Sequence, residues 1–335
     1  MVFRRILAGQ TFHSNVKRNA WRGIQDYHNL ELVGLADGDA FLLPTMSGFF
    51  QWRGEKMKHQ QYSIKFPIGE SHQLGEDEVF FSVLENGQDI KFRFHEYGEI
   101  YKRPGLYEQL FYHRLKCNSP QKIGDILAKV LGDNRVEMTE LRALDFGAGN
   151  GMFGEQLCNM GVARVIGADI SEEAYIACER DRPSVYDAYY VCDFSNLETS
   201  MQRELAAWQI DCLTCVAALG FGDIPAKAFA NAFNLVAPSG WIAFNIKESF
   251  LLESDTSGFS RLIKSLLVSD ALEVHHLERY RHRISIDGRQ LFYYALVGKK
   301  GFDIPDHLLN GVTEIQSRAR PLERAAGELA TIKCG

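Results

Sequence analysis

The sequence predicts an α/β fold: a doubly wound, mainly parallel seven-stranded sheet that ends in an antiparallel hairpin, with an N-terminal β-rich module. Three observations predict it. Strand-like and helix-like segments alternate through the middle of the chain, which is typical of parallel sheets. Two β-rich runs joined by Asp287-Gly288 then break this alternation as a hairpin. The first hundred residues contain another hairpin signal, Asn86-Gly87, and lack alternating helices.

Composition sets the class of protein. The chain has 335 residues, 46% apolar and 24% charged, with a net charge of -6. It can form one large domain or two modest ones, and it has no global basic field for nucleic acid. No apolar run approaches the roughly 18 residues of a membrane-spanning helix, and the N-terminus lacks the apolar stretch of a secretory signal. We therefore expect a cytoplasmic enzyme or binding protein, with no nucleic-acid partner and no membrane.

The predicted strands follow the apolar runs of the second half. They cover 141–146, 164–170, 188–192, 210–219, 241–246, 272–286 and 290–297. Helical periodicity predicts the intervening helices at 151–160, 171–180, 201–208, 225–236 and 259–268. Ser171, followed by two acids, is a typical helix N-cap.

Three regions follow from this pattern. Residues 1–96 are predicted to be a β-rich module with strands near 49–53, 62–66, 79–84 and 89–94, serving as a lid, in substrate binding or in dimerisation. A homodimer is therefore one expected state. Residues 97–300 form the α/β domain, and 301–335 a tail with a helix near 312–329.

The cysteine and histidine pattern predicts no metal site. Cys212 and Cys215 form a CxxC pair, but they lie in an apolar strand, without a second pair of cysteines or a nearby His pair. We expect buried reduced thiols, with a redox pair as the alternative. His275 and His276 are adjacent on a strand, so they point to opposite faces and are poor joint ligands.

A glycine-rich loop follows the first strand of the α/β domain and opens a helix. It reads Asp145-Phe-Gly-Ala-Gly-Asn-Gly-Met-Phe-Gly154. Such glycines let the backbone turn tightly and approach a ligand. One interpretation is the dinucleotide fingerprint GxGxxG, starting at Gly149, with Asp169 as the ribose acid. This makes an NAD-dependent oxidoreductase one candidate function.

The same segment, together with later motifs, resembles the class I S-adenosylmethionine-dependent methyltransferases. The loop resembles their motif I, which ends its strand in an acid, here Asp145. An acid suits a ligand with an ammonium and a sulfonium, whereas it would repel a pyrophosphate. The run Val236-Ala-Pro-Ser-Gly240 resembles their turn into strand five, with Ser239 in place of a glycine. The terminal hairpin also matches the family, and the resemblance covers about residues 105–300.

The resemblance implies S-adenosylmethionine as cofactor and names its binding residues. Asp169 would accept hydrogen bonds from the ribose hydroxyls, Asp193 from the adenine amino group, and Phe194 would face the adenine ring. The full predicted set is Asp145, Gly147, Ala148, Gly149, Gly151, Asp169, Ile170, Asp193, Phe194 and Ala218. A finer similarity, over 106–127, is to the Williams–Beuren-region methyltransferase-like proteins and their bacterial relatives.

The methyl acceptor is less defined by the sequence. Methyl transfer from a sulfonium is an in-line displacement that depends mainly on positioning, and a base is needed only for a protonated nucleophile. The candidate catalytic residues are Tyr97, Tyr101, His113 and Asn245. We expect a small-molecule acceptor with an O, N or S nucleophile. The other alternative is a non-catalytic binding or scaffold protein that retains the cofactor fold.

Overall fold

The computed structural model describes residues 60–67, 78–220 and 222–305, all within the compact unit that begins at Met57. The predicted strand at 49–53 and the predicted helix at 312–329 lie outside these residues, and the domain boundary at 96 stays a prediction. The helices within the described ranges include none long and apolar enough to cross a membrane.

A small antiparallel sheet comes first in the described part of the chain. Its strands are β1 (Ile64–Lys65), β2 (Phe80–Glu85) and β3 (Gln88–Arg93), in the order β1-β2-β3. Asn86 and Gly87 turn between β2 and β3 with φ of 52° and 80°. Two positive φ values are what a two-residue type I′ hairpin requires, and Asn-Gly is the pair that adopts them most readily. The predicted hairpin is confirmed.

A helical segment then leads to the larger sheet, and we call residues 97–114 the cap. It contains α1 (Tyr97–Tyr101), α2 (Leu106–Glu108) and a π-helix (Gln109–Arg114). The Gln109 side chain accepts from the backbone N–H of Tyr62 (2.9 Å) and donates to the carbonyl of Gln60 (2.7 Å). Apolar residues of the cap and the small sheet share one core, so the two form a single packed layer.

The larger sheet has seven strands in the order β6-β5-β4-β7-β8-β10-β9. Strand β10 is antiparallel to both its neighbours, whereas β4 to β8 are mutually parallel. The strands are β4 (Arg142–Phe146), β5 (Arg164–Asp169), β6 (Ala188–Val191), β7 (Cys212–Leu219), β8 (Trp241–Lys247), β9 (Leu272–Ile284) and β10 (Gln290–Lys300). The predicted fold class is confirmed.

Helices cover both faces of this sheet. They are α3 (Ser119–Asp133), α4 (Met152–Asn159), α5 (Glu172–Asp181), α6 (Thr199–Ala207), α7 (Ala226–Asn234) and α8 (Phe259–Val268). One core joins the sheet to α3 and α4, and the other joins it to α6, α7 and α8. The Ser171 hydroxyl accepts from the N–H of Ala174 (3.2 Å) and caps α5, because a first-turn N–H has no partner within its own helix.

The alternation of side chains along β7 explains its two cysteines. Cys212 packs into the core on the α3 side, and Cys215 packs into the core on the α7 side. Burial raises the pKa of both thiols. They are free and buried, on opposite faces of one strand, as the expectation of reduced core thiols requires.

Candidate functional site

A cavity of about 290 Å³ opens at the carboxyl ends of β4, β5, β6 and β7. Ligands of open α/β sheets bind at this edge. Its lining comes from four sources: the glycine loop after β4, the ends of β5 and β6, an irregular stretch of β7, and the cap. Of the predicted cofactor residues, those that line it are Gly147, Ala148, Gly149, Asp169, Ile170, Asp193, Phe194 and Ala218.

The glycine loop needs its glycines for two different reasons. Gly147 has φ of 75°, and a Cβ there would lie 2.8 Å from the Cβ of Ala218. Gly149 has φ of 55°, and a Cβ there would lie 2.6 Å from the Oη of Tyr101. Both positions combine a left-handed backbone with close neighbours, so larger residues are excluded. Gly151 is also left-handed (84°), but it starts α4 behind the loop and does not line the cavity.

Asp145 lies beneath the loop and does not line the cavity. Its side chain is 1% exposed and accepts hydrogen bonds from the hydroxyls of Tyr186 (2.7 Å) and Thr214 (3.0 Å). Burial raises its pKa to about 6, against the effect of these two donors. The carboxylate therefore joins β4 to β7 and to Tyr186 below the loop.

Asp169 is the acid at the end of β5, on the cavity surface. Its carboxylate accepts from the backbone N–H groups of Gly149 (2.9 Å) and Ser171 (3.0 Å). Burial raises its pKa, while these backbone donors act in the opposite direction. The bond to Gly149 ties the acid to the glycine loop. Ile170 follows, 67% exposed, at the cavity rim.

The end of β6 supplies another acid and a ring. The Asp193 carboxylate accepts from the N–H of Ser195 (2.7 Å) and from the amide of Asn196 (3.0 Å), and its side chain stays on the surface. Phe194 is buried, and its ring centroid lies 4.7 Å from that of Phe146. An exposed acid beside a buried aromatic ring can bind a flat ligand with a polar edge.

Strand β7 leaves its ladder where it meets the cavity. Its pairing with β8 is regular up to Cys215 and resumes only at Leu219. Between them Ala217 has φ of 62°, a conformation that L-residues rarely adopt. The N–H of Ala217 donates instead to Oδ1 of Asn245, on β8, at 2.7 Å. The buried Asn245 side chain thus replaces the missing ladder bond and fixes the cavity wall.

Asn245 belongs to a buried polar network. Its Nδ2 lies 2.8 Å from the Tyr280 hydroxyl, which lies 2.6 Å from the hydroxyl of Ser119. The Ser119 hydroxyl is also 2.6 Å from Nδ1 of His282, whose pKa is lowered well below its usual range by burial and by neighbouring Arg283. With the His282 ring neutral, Tyr280 can donate to Ser119 and Ser119 to Nδ1, leaving no hydroxyl proton without an acceptor.

Four tyrosines of the cap line the cavity, and we call Tyr97, Tyr101, Tyr107 and Tyr112 the tyrosine wall. Successive ring centroids lie 6.4, 5.0 and 6.1 Å apart along it. Burial raises the pKa of all four, so each hydroxyl stays protonated at neutral pH. The wall offers π faces and neutral hydroxyls to a ligand.

The predicted catalytic residues separate into two groups. Tyr97 and Tyr101 line the cavity from one helix. His113 is exposed on the π-helix and is not among the lining residues, because the broad turn that points Tyr112 inward leaves His113 outside. Asn245 lies behind the part of the cavity wall that β7 forms. It bonds Ala217 and does not line the cavity.

The cavity lining also contains residues outside the predicted set, among them Tyr107, Tyr112 and Asp223. Tyr107 and Tyr112 lie in an aromatic-rich segment whose spacing does not separate core from cavity, and Asp223 lies in the loop between β7 and α7, which has no periodicity to interpret. The Oδ1 of Asp223 lies 3.9 Å from Nδ1 of His95. The one available signal was position, because this loop follows the carboxyl end of β7.

Two arginines of the α5 region attach the cap to the α/β domain. Arg180 donates to the carbonyl of Tyr101 (2.9 Å). Arg182 pairs with Glu108 of the cap (2.7 Å) and with Glu155 of α4 (3.1 Å), and it donates to the carbonyl of Asn150 (3.2 Å). These contacts hold the tyrosine wall over the glycine loop.

The fold and the cavity define a Rossmann-like domain built for a nucleoside-type cofactor. Residues 144–244 match a family model described as a methyltransferase domain. The ubiquinone biosynthesis O-methyltransferase of Burkholderia vietnamiensis is 30% identical over 113 residues, which is 34% of this chain and 47% of that protein. A protein of the same name from Paraburkholderia phymatum is 32% identical over 114 residues, again 34% of this chain and 47% of that protein. The matched region spans about half the length of these relatives.

Solved structures resemble the chain more distantly. Magnesium protoporphyrin IX methyltransferase from Synechocystis, with bound S-adenosylmethionine, gives a TM-score of 0.38 at 12% identity and covers 54% of this chain and 79% of its own. Ribosomal protein L11 methylase from Lactobacillus delbrueckii gives 0.36 at 15%, covering 54% and 78%. Scores this low carry no argument about function.

The matched family, the motif order and the sheet topology agree. Residues 144–244 resemble a methyltransferase domain, and the motif order and sheet topology match the class I enzymes, whose cofactor is S-adenosylmethionine. The residues present fit this cofactor, because the glycine loop leaves no room for side chains at positions 147 and 149, and Asp169 lies at the edge of that loop. The finer similarity to the Williams–Beuren-region proteins stays a prediction.

Proposed function

We propose that this protein transfers a methyl group from S-adenosylmethionine to a small molecule with an O, N or S nucleophile. The observation that carries the proposal is the cavity itself. The glycine loop, with no side chain at positions 147 and 149, a half-buried acid at its edge and the tyrosine wall line one space at the carboxyl edge of the sheet. This combination suits a cationic nucleoside and a second, ring-bearing ligand beside it.

Different residues of the chain bind different parts of the cofactor. Asp169 accepts from the ribose hydroxyls, and Asp193 and Phe194 hold the adenine by its amino group and its face. The loop at Gly147, Ala148 and Gly149 approaches the remainder of the molecule. Asp145 and Gly151 serve the loop from behind, since neither lines the cavity.

The bound cofactor supplies an already activated methyl group. The protein then has to hold the acceptor's nucleophile in line, roughly 3–3.5 Å from the methyl carbon, and to exclude water. The tyrosine wall does both, since its rings close the cavity above the glycine loop. The relatives named as ubiquinone biosynthesis O-methyltransferases support a small-molecule acceptor and, more narrowly, an oxygen nucleophile. A cytoplasmic location, a homodimer and the lack of a nucleic-acid partner stay predictions.

Calorimetric titration tests the cofactor. Wild-type protein is titrated with S-adenosylmethionine, S-adenosylhomocysteine and NADH, alongside Asp169→Asn and the control Asp133→Asn. Asp133 is exposed on α3 and pairs with Lys129, so it makes the same charge change away from the cavity. We expect both adenosyl ligands to bind the wild type and the control alike. Asp169→Asn should weaken them roughly 10- to 100-fold, the value of charge-assisted hydrogen bonds.

The other outcomes contradict the proposal. Binding of NADH alone would favour the oxidoreductase, and binding of none of the three would favour a scaffold protein. Once cofactor binding is established, transfer of a radiolabelled methyl group to a panel of hydroxyl, amine and thiol metabolites tests the reaction.

A further inference from the structure

The charges in the cavity are of one sign. Among the described lining residues, the charged side chains are Asp169, Asp193 and Asp223, and none is lysine, arginine or histidine. Asp169 and Asp193 already accept two hydrogen bonds each from neighbouring protein groups. Asp223 has a longer contact, 3.9 Å to His95, and its side chain is 40% exposed. This carboxylate can accept a hydrogen bond from a ligand.

Asp223 lies beside the tyrosine wall, because its contact partner His95 has its ring centroid 6.4 Å from that of Tyr97. It precedes Ile224 and Pro225, in the loop that leads into α7. After burial, its charge is the next cause of the raised pKa of Tyr97, and it also contributes to the raised pKa of Asp169. The positive charge nearby, on Arg283, lies behind the wall over the rings of Phe94 and Phe111.

The tyrosine wall adds a preference of its own. Its rings are neutral and follow one another at centroid spacings of 5.0–6.4 Å, so they form an aromatic surface against which a planar ring can pack. The face of an aromatic ring attracts cations and disfavours anions. S-adenosylmethionine brings a net positive charge of about one, which leaves the three-carboxylate cavity negative with the cofactor bound. The acceptor's part of the cavity thus favours a ligand without negative charge.

We propose that the acceptor is a ring-bearing molecule without negative charge, whose hydroxyl or ammonium group donates a hydrogen bond to Asp223. This rests on the proposed methyl transfer and names its substrate class. As the acceptor's O or N forms its bond to the methyl carbon, the carbon–sulfur bond breaks and its electron pair stays on sulfur. A hydroxyl gives its proton to the Asp223 carboxylate as the bond forms, whereas an ammonium gives one proton to it beforehand, which frees the lone pair that attacks. The carboxylate then returns the proton to solvent.

Three probes that differ in charge test the acceptor site: phenethylamine, 2-phenylethanol and phenylacetate. Calorimetry measures the affinity of each for the wild type, with and without saturating S-adenosylhomocysteine. We expect the amine and the alcohol to bind at least tenfold more tightly than the carboxylate. In Asp223→Asn the affinity for the amine should fall about tenfold and the affinity for the alcohol should fall less. The affinity for the carboxylate should rise. Glu253→Gln, an exposed acid outside the lining residues, is the control for net charge and should match the wild type.

The results separate the two proposals. Failure of S-adenosylhomocysteine to bind overturns the proposed function, whereas the order of the three probes decides the acceptor class in either condition. Phenylacetate binding as tightly as phenethylamine overturns the inference, and so does an Asp223→Asn variant with unchanged amine affinity. No saturable amine binding at millimolar concentrations overturns it as well.

Discussion

Replacing Asn245 by leucine removes the side chain that holds the irregular stretch of β7. The substitution keeps the branching at Cγ and the number of heavy atoms, adds some volume, and loses both polar ends of the side chain. Oδ1 accepts from the N–H of Ala217 at 2.7 Å, and Nδ2 donates to the hydroxyl of Tyr280 at 2.8 Å. Asn245 is fully buried, so water cannot replace these bonds without a rearrangement. The variant leaves one buried N–H without an acceptor and one hydroxyl without a donor.

The cost follows from these two groups. A buried donor left without an acceptor costs about 1–3 kcal/mol, and the lost bond to Tyr280 about 1 kcal/mol more. We expect the free energy of unfolding to fall by roughly 2–4 kcal/mol. Because Ala217 is held at φ of 62° by the lost bond, we also expect it to relax and shift the cavity wall with Ala218. Affinity for S-adenosylhomocysteine should fall about tenfold or more.

Equilibrium urea unfolding and calorimetry measure the two effects separately. The matched control is Asn234→Leu, because Asn234 also bonds a backbone N–H and C=O, both of Ile304, but lies outside the cavity lining. It should lose stability and keep its ligand affinity. Wild-type affinity in Asn245→Leu, or an equal loss of affinity in both variants, would refute the positioning role.

The remaining predictions concern the loop, the buried acid and the cap. Gly149→Ala should lower the affinity for S-adenosylhomocysteine at least tenfold, because the new Cβ lies 2.6 Å from the Tyr101 hydroxyl. Adding Tyr101→Phe should restore part of the affinity, and no recovery by calorimetry contradicts the steric cause. Asp145 has a pKa of about 6 folded and 3.8 unfolded, so the stability it confers is complete below pH 4 and falls by roughly 3 kcal/mol as pH rises through 6. Urea unfolding of Asp145→Asn should lack this fall, and an identical pH dependence in both proteins refutes it. Arg182→Met should speed amide hydrogen exchange in the π-helix, whereas Arg164→Met, an exposed arginine, should not; equal exchange in both variants contradicts the attachment.

Much of the fold could be predicted because its signals are local. Apolar runs of strand length alternate with helical periodicity, and the same residues build the sheet and its two layers. The turns at Asn86-Gly87 and Asp287-Gly288 contain residue pairs that favour tight turns between antiparallel strands. Both hairpins could therefore be predicted from the sequence. The glycine loop was accessible for the same reason.

The rest of the site depends on contacts between distant parts of the chain. The stretch Val216-Ala217-Ala218 has the same apolar character as the strand before it, so the sequence does not mark it as irregular. It is irregular because the Asn245 side chain of β8 accepts the hydrogen bond of a β7 backbone N–H. Tyr107 lies in an aromatic-rich segment where spacing alone does not separate core from cavity, and its orientation depends on the π-helix that follows. The sequence predicts Asp145 among the cofactor residues, whereas its position beneath the loop depends on the donors Tyr186 and Thr214, which come from other elements.

The attachment of the cap also bears on how long a ligand stays bound. A molecule between the glycine loop and the tyrosine wall leaves more readily when the cap lifts, and lifting breaks the contacts of Arg180 and Arg182. Such covering lengthens residence time more than it changes the rate of capture. Charged pairs weaken as dissolved salt screens them. Departure of the spent cofactor should therefore quicken with ionic strength, and where that departure limits turnover, the enzyme should run faster in moderate salt than in dilute buffer.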